Sequence, residues 1–201
     1  MEGEAAKTKQ TNSDVLAMTP ENPDLQHFLS IPWCAAHLTP STIYETPVCR
    51  FPKLSGEDNL FATVLNAPGA IKAFLSFHEA PAPDAPPLVE EIDFFVTIGT
   101  DVAGHPSLCH GGLIAALMDE VLGLTMAMNK SWGAVSTQAH MTGYLNINYL
   151  KPVPVPATYL CRAKVLRIEG RKSFLLGTVE DEQGAVLVKA DSLFIDVKGK
   201  L

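Results

Sequence analysis

His110-Gly111-Gly112-Leu113-Ile114-Ala115-Ala116-Leu117-Met118-Asp119-Glu120-Val121-Leu122-Gly123-Leu124-Thr125-Met126-Ala127-Met128 is the stretch that decides the fold. From 113 to 128 only Asp119, Glu120 and Thr125 are polar, which predicts a helix surrounded by protein on nearly all sides. An unpaired carboxylate is costly to bury there, and the usual escape is a raised pKa, suited to a general base or nucleophile near neutral pH. At the other end, Gly111 and Gly112 leave no side chains over the first free N–H groups. Those amides and the helix dipole form a site for a polarised carbonyl or an oxyanion. Eight residues of helix from Gly111 to Asp119 span about 12 Å, so one carbonyl cannot touch both within a chain. Two copies packed antiparallel across a two-fold axis would bring the helix N-terminus of one beside the middle of the other. The expectation is a dimer with composite sites.

Outward from the helix, residues 88–99 read as a strand and 100–109 as the loop leading into the helix. Further strands are expected at 135–150, 158–168, 173–181 and 185–197, with Gln183-Gly184 at a hairpin turn. One long helix among about five antiparallel strands is an α+β layer arrangement. On the N-terminal side, Pro81-Ala-Pro-Asp-Ala-Pro-Pro87 reads as a stiff linker and domain boundary. Residues 22–87 are expected to form a partly helical, irregular extension, with helices at 23–30 and 57–66, the latter capped by Ser55. The segment 70–78 fits helix or strand. Residues 1–21 read as a disordered polar tail.

The run Gly104-His105-Pro106-Ser107-Leu108-Cys109-His110-Gly111-Gly112 with Asp119, continued in Met141-Thr142-Gly143-Tyr144-Leu145-Asn146-Ile147-Asn148-Tyr149-Leu150-Lys151-Pro152, resembles the hotdog-fold acyl-CoA thioesterases of the phenylacetate-pathway type. The second of these stretches is similar to the eukaryotic branch that includes the carboxyl-terminal modulator protein. The resemblance covers residues 88–197. It implies a long central helix wrapped by an antiparallel sheet, hydrolysis of acyl-CoA thioesters, and dimers or tetramers. By the same resemblance Asp119 matches the catalytic carboxylate, Gly111 the backbone donor to the thioester carbonyl, and Thr142 an accessory hydroxyl. The asparagine that some members carry before the His-Gly-Gly is missing, and His105 is the candidate to replace it beside Gly112.

Strict alternation sets Thr142 with His140, Tyr144 and Asn146, opposite the apolar face of Met141, Leu145, Ile147 and Tyr149 that should cover the helix. A bulge at Gly143 could re-aim Thr142. Glu120, about 100° round the helix from Asp119, is the alternative working carboxylate. His110 is a candidate catalytic residue, though a tie between loop and helix start explains it more simply. Cys109 beside His110 lacks anything to orient a thiol nucleophile. Arg167, Arg171 and Lys172 surround Gly170 in a turn between strands, where cations could hold the phosphates of coenzyme A or form a solvated rim.

Net charge is −7, yet residues 151–201 hold 9 Lys and Arg against 6 acids, and residues 1–150 hold 6 against 16. An acidic chain without an extensive basic stripe excludes nucleic acid as a partner. No metal-ligand spacing occurs among the six His and four Cys, and no phosphate-binding glycine loop is present, so no metal or cofactor is expected. Two adjacent acids inside the long apolar helix argue against a membrane span. Cysteines at 34, 49, 109 and 161 form no C-x-x-C pair, and neither a secretory nor an Arg-rich mitochondrial leader is visible; a cytoplasmic location is expected, with the mitochondrion left open by relatives there. Besides acyl-CoA hydrolysis, three readings remain: a non-catalytic acyl- or partner-binding protein, a thioesterase for carrier-protein substrates, and a hotdog dehydratase using His140 or His105.

Overall fold

The computed structural model describes residues 22–79, 88–136 and 138–197; the tail 1–21 and the linker 81–87 lie outside them. Helices α1 (Pro23–Leu29) and α2 (Pro32–Ala35) precede strand β1 (Thr42–Glu45). A 3-10 turn at Val48–Arg50 and a π-helical turn at Leu60–Val64 lead to β2 (Ile71–Glu79) and β3 (Glu91–Ile98). The short hairpin β4 (Ala103–His105) and β5 (Leu108–Cys109) delivers the chain to helix α3 (Gly111–Ser131). Strands β6 (His140–Tyr149), β7 (Ala157–Glu169), β8 (Lys172–Glu180) and β9 (Val186–Asp196) complete the fold.

Seven strands form one antiparallel sheet in the order β1-β2-β3-β7-β8-β9-β6, where the sequence suggested about five. The two additional strands come from the extension expected to be helical and irregular. β2 reads Ile-Lys-Ala-Phe-Leu-Ser-Phe-His-Glu and is buried at every position from Ala73 to His78, so it carries no period-2 signal. Its inner residues Ile71 and Phe74 join the main core, while Ala73, Leu75 and Phe77 face the other way. On that outer face Leu25, Phe28 and Cys34 of the first two helices pack with Phe95 and Leu160. Phe95 stacks on Phe77 at 4.6 Å between centroids and meets Trp33 edge-on at 5.2 Å. The helix expected at 57–66 is reduced to the π-helical turn, and Ser55 Oγ accepts from Glu57 N–H in a turn before it rather than capping it.

α1 starts where its sequence says it should. Asn22 accepts from Leu25 N–H and Pro23 occupies the first helical position, where a missing N–H costs nothing. Arg50 is buried, and its guanidinium donates to the carbonyl of Ile71 at 3.0 Å, which ties the 3-10 turn to the start of β2.

The main core lies between α3 and the inner sheet face, where Ile114, Leu117, Met118, Val121 and Leu122 meet Phe94, Val96, Cys161, Leu175 and Val188. Gly177 of β8 sits beneath this contact: a Cβ there would come within 2.4 Å of Met118 Cε and 3.2 Å of Leu122 Cδ2. The helix is not enclosed on nearly all sides, as its composition suggested. Gly112, Ala116, Asp119, Gly123, Ala127 and Lys130, spaced at the helical period, form a stripe that the rest of the chain leaves at least partly open. By length and hydropathy alone α3 could cross a membrane, but half of that window is buried in this fold.

Candidate functional site

His110 has extended backbone and caps α3: its Nδ1 accepts from Gly112 N–H at 2.9 Å. Its carbonyl accepts from Leu113 N–H at 3.0 Å and Ile114 N–H at 3.2 Å. The Gly111 carbonyl accepts from Tyr149 Oη–H at 2.8 Å. Among the described residues nothing accepts from Gly111 N–H, so of the two glycine amides this one is unspent. Gly111 lines a cavity of about 340 Å3 together with His105, Cys109, Ile114, Tyr149 and Lys151. The structure therefore brings His105 and Gly111 together, whereas Gly112 N–H is committed to His110. Burial pushes the Cys109 thiol up to about 11, so it carries its proton at neutral pH.

Two turns further along, Asp119 Oδ1 accepts from Thr142 Oγ1–H at 2.8 Å. Strict alternation would have turned Thr142 away from the helix. The β6–β9 register shifts between Thr142 and Tyr144, which makes Gly143 the extra residue of a bulge. Side-chain parity inverts there, so His140 and Thr142 before the bulge share a face with Leu145, Ile147 and Tyr149 after it. Met141, placed on the helix-facing side by simple alternation, is 50% exposed instead. Gly143 suits the bulge because a Cβ would lie 3.1 Å from Ile195 Cδ1 and 3.2 Å from the Leu193 carbonyl oxygen.

Asp119 is half-buried in the single chain, less than the apolar run implied. Glu120 points elsewhere, toward Cys49 with Lys53 and Asp58 nearby. Burial pushes its carboxyl up from the ordinary range, and the carboxylates of Asp58 and Asp119 add to the effect. The two carboxylates thus have separate surroundings, and the Thr142 hydroxyl serves Asp119. His140 lies beside Gly123 and edge-on to Phe194 at 5.3 Å; burial, then Lys130, lowers its pKa.

The basic turn lies at the far end of the sheet from Gly111 of the same chain. Lys172 and Met141 both pair with Ile195, whereas Tyr149 pairs with Val188, and seven residues of strand separate these positions by about 23 Å. Gly170 adopts φ +59 in the β7–β8 turn. Arg171 donates to the Asp196 carbonyl at 3.0 Å, and Arg167 lies over the Phe174 ring at 3.7 Å while its Nε bonds Glu169. Among the described residues no group of three or more His, Cys, Asp or Glu is arranged to hold a metal ion. Tyr149, absent from the site as read in the sequence, is the added participant. Its only signal was an aromatic residue at the last position of β6.

The sequence profile of the Thioesterase superfamily matches residues 107–188. Acyl-coenzyme A thioesterase THEM4 of Mus musculus is 33% identical over 98 residues, covering 48% of this chain and 39% of that protein. The Bos taurus protein of the same name is 35% identical over 98 residues, 48% of this chain and 37% of its own. The matched stretch thus spans well under half the length of these relatives. A crystal structure of a thioesterase superfamily protein aligns over 91% of this chain and 88% of its own with a TM-score of 0.51 and 22% identity, a likeness of fold that takes in the N-terminal layer. The PaaI protein of the E. coli phenylacetic acid degradation operon aligns over 55% of this chain and 75% of its own, with a TM-score of 0.48 and 14% identity. The profile runs from the hairpin before α3 into β9, so this part of the chain resembles the thioesterase superfamily, and the glycine-opened helix wrapped by an antiparallel sheet has the hotdog fold.

Proposed function

We propose that this protein hydrolyses acyl-CoA thioesters at sites built from two subunits. The observation that carries the proposal is the Thr142–Asp119 hydrogen bond, which orients one carboxylate oxygen and leaves the other to act on water. Asp119 takes a proton as the water oxygen attacks the thioester carbon. The oxyanion forms against Gly111 N–H of the partner subunit, and collapse of the tetrahedral intermediate breaks the C–S bond, with the proton passing to the departing thiolate. The acyl-CoA thioesterase names of the curated relatives support this substrate class.

The two-subunit arrangement follows from spacing. Asp119 lies about 12 Å along the helix from Gly111, and the open stripe of Gly112, Ala116, Asp119, Gly123 and Ala127 lets a second α3 approach closely. β6 is an edge strand with Met141, Tyr144 and Tyr149 exposed, so the surface beside the stripe is also unpaired. In an antiparallel pair the basic turn of the subunit supplying Asp119 lies outward of Gly111 of the partner subunit, where the phosphates of a bound coenzyme A would extend. Cytoplasmic residence fits the four free thiols.

Mixing two inactive variants tests both claims. Asp119→Asn removes the base, and Gly111→Pro removes the amide proton at a first helical position that suits proline, behind a His110 of φ −65 and ψ 131 that also suits it. Each alone is expected to lower thiol release by about 100- to 1,000-fold. Co-refolded in equal amounts, half of the dimers are mixed and each mixed dimer regains one intact site, so about a quarter of wild-type activity returns. No recovery means that the site lies within one subunit. No thiol release by the wild type from short, long or aromatic acyl-CoAs, or from acyl carrier protein thioesters, leaves a non-catalytic binding protein.

A further inference from the structure

The geometry points to Tyr149 as a positioning residue whose hydroxyl holds the Gly111–Gly112 peptide so that the adjacent Gly111 N–H stays fixed as an unspent backbone donor beside the cavity. This inference rests on the thioesterase reading for its kinetic consequence, though not for its structural content.

Two consecutive glycines open α3, and glycine has the least restrained backbone of any residue. A donor carried there would wander unless its neighbours were held. In a trans peptide the C=O and N–H point in opposite directions, so holding either end fixes the plane. The peptide between Gly111 and Gly112 is held at both ends: Tyr149 Oη–H donates to its carbonyl at 2.8 Å, and its N–H donates to His110 Nδ1 at 2.9 Å. The preceding peptide, which carries Gly111 N–H, is held at its carbonyl by Leu113 and Ile114 N–H. The Gly111 carbonyl also accepts the helix's own bond from Ala115 N–H, so five hydrogen bonds surround one free N–H. Four of them come from the helix and its cap, and only the tyrosine arrives from elsewhere in the chain.

Tyr149 is poorly placed to serve the core. It is 54% exposed at the last position of an edge strand and lines the same cavity as Gly111 and His105. A hydrogen bond so exposed contributes little to folding. Its ring reaches the helix start, since a Cβ on Gly111 would stand 3.6 Å from Tyr149 Cζ, and the bulge at Gly143 sets the parity that turns it there. An oxyanion donor is effective in proportion to its preorganisation, so loosening it should lower turnover more than binding.

Tyr149→Phe keeps the ring and removes the hydroxyl. Three measurements on the full chain are compared with wild type: steady-state hydrolysis of acyl-CoA, amide hydrogen exchange across 110–114, and the infrared frequency of the thioester carbonyl of acyl-CoA bound in an Asp119→Asn background. The expected result is a kcat about 5- to 30-fold lower with KM within about twofold, less than the 100- to 1,000-fold cost of deleting an oxyanion donor. Exchange at 112–114, whose amides are hydrogen-bonded, should accelerate, and the carbonyl should return toward its frequency in solution. Unchanged exchange overturns the inference, as does a loss of kcat with no change in carbonyl frequency. If wild type hydrolyses no acyl-CoA, the thioesterase reading fails while the exchange comparison still decides whether Tyr149 holds the peptide.

Discussion

Replacing Thr142 with valine removes one hydroxyl from the centre of the proposed mechanism and little else. Valine has nearly the same shape, suits a strand, and leaves the Gly143 bulge that aims the position at the helix. What is lost is the 2.8 Å hydrogen bond to Asp119 Oδ1. A hydrogen bond to a charged group is worth about 1.5–3 kcal/mol, and each ~1.4 kcal/mol is a factor of ten in rate. If the bond orients Asp119 throughout the reaction, kcat/KM should fall by about 10- to 100-fold, toward the upper end if the second subunit excludes water from the pair. Thiol release from acyl-CoA, followed continuously, reads this directly, and Thr142→Ser should retain most activity. A cycle with Asp119→Asn sharpens the test, because the hydroxyl acts only through that carboxylate. Once Asp119 is gone, adding Thr142→Val should cost nothing more. Activity of Thr142→Val within about twofold of wild type, or an undiminished loss in the Asp119→Asn background, would refute the reasoning.

Two further outcomes follow from the sheet. Gly177→Val drives a branched side chain into Met118 and Leu122 beneath α3, and overpacking of this kind should cost about 1–3 kcal/mol, measurable by denaturant or thermal unfolding. On the outer face, Asp93 bonds Arg162 at 2.9 Å, with Glu91 and Glu180 on the same guanidinium, yet burial outweighs the cation and raises its carboxyl to about 7. Between about pH 4 and 7 the folded state then binds more protons at this site than the unfolded chain. Stability should fall as pH rises through that window, by up to ~1.4 kcal/mol per unit, and Asp93→Asn should lack this contribution to the slope. Equal slopes in the two proteins would remove Asp93 as its source.

Much of the fold was legible in local sequence. The His-Gly-Gly before an apolar run marks the start of α3 because a capping side chain and two bare amides are local features, and β7, β8 and β9 lie within two residues of the expected ranges. The Asp119 and Glu120 carboxylates were both visible as candidates, with Asp119 preferred by the family resemblance; spacing alone did not separate them, since a 100° turn says nothing about what surrounds each. Cys49, 71 positions earlier in the chain, lies beside Glu120, and Thr142 bonds Asp119.

The sequence by itself determined the helix, its cap, the majority of the strands, and the spacing of about 12 Å that keeps Gly111 and Asp119 from sharing one carbonyl within a chain. Tertiary structure alone decided the membership of β1 and β2 in the sheet: β2, covered on both faces, loses the alternation that would announce a strand, and β1 is an edge strand of four residues, too short to carry one. It also decided which side chains of β6 face the helix. A single extra residue at Gly143 inverts every later position, and whether a glycine bulges depends on the register of the partner strand rather than on its neighbours in sequence.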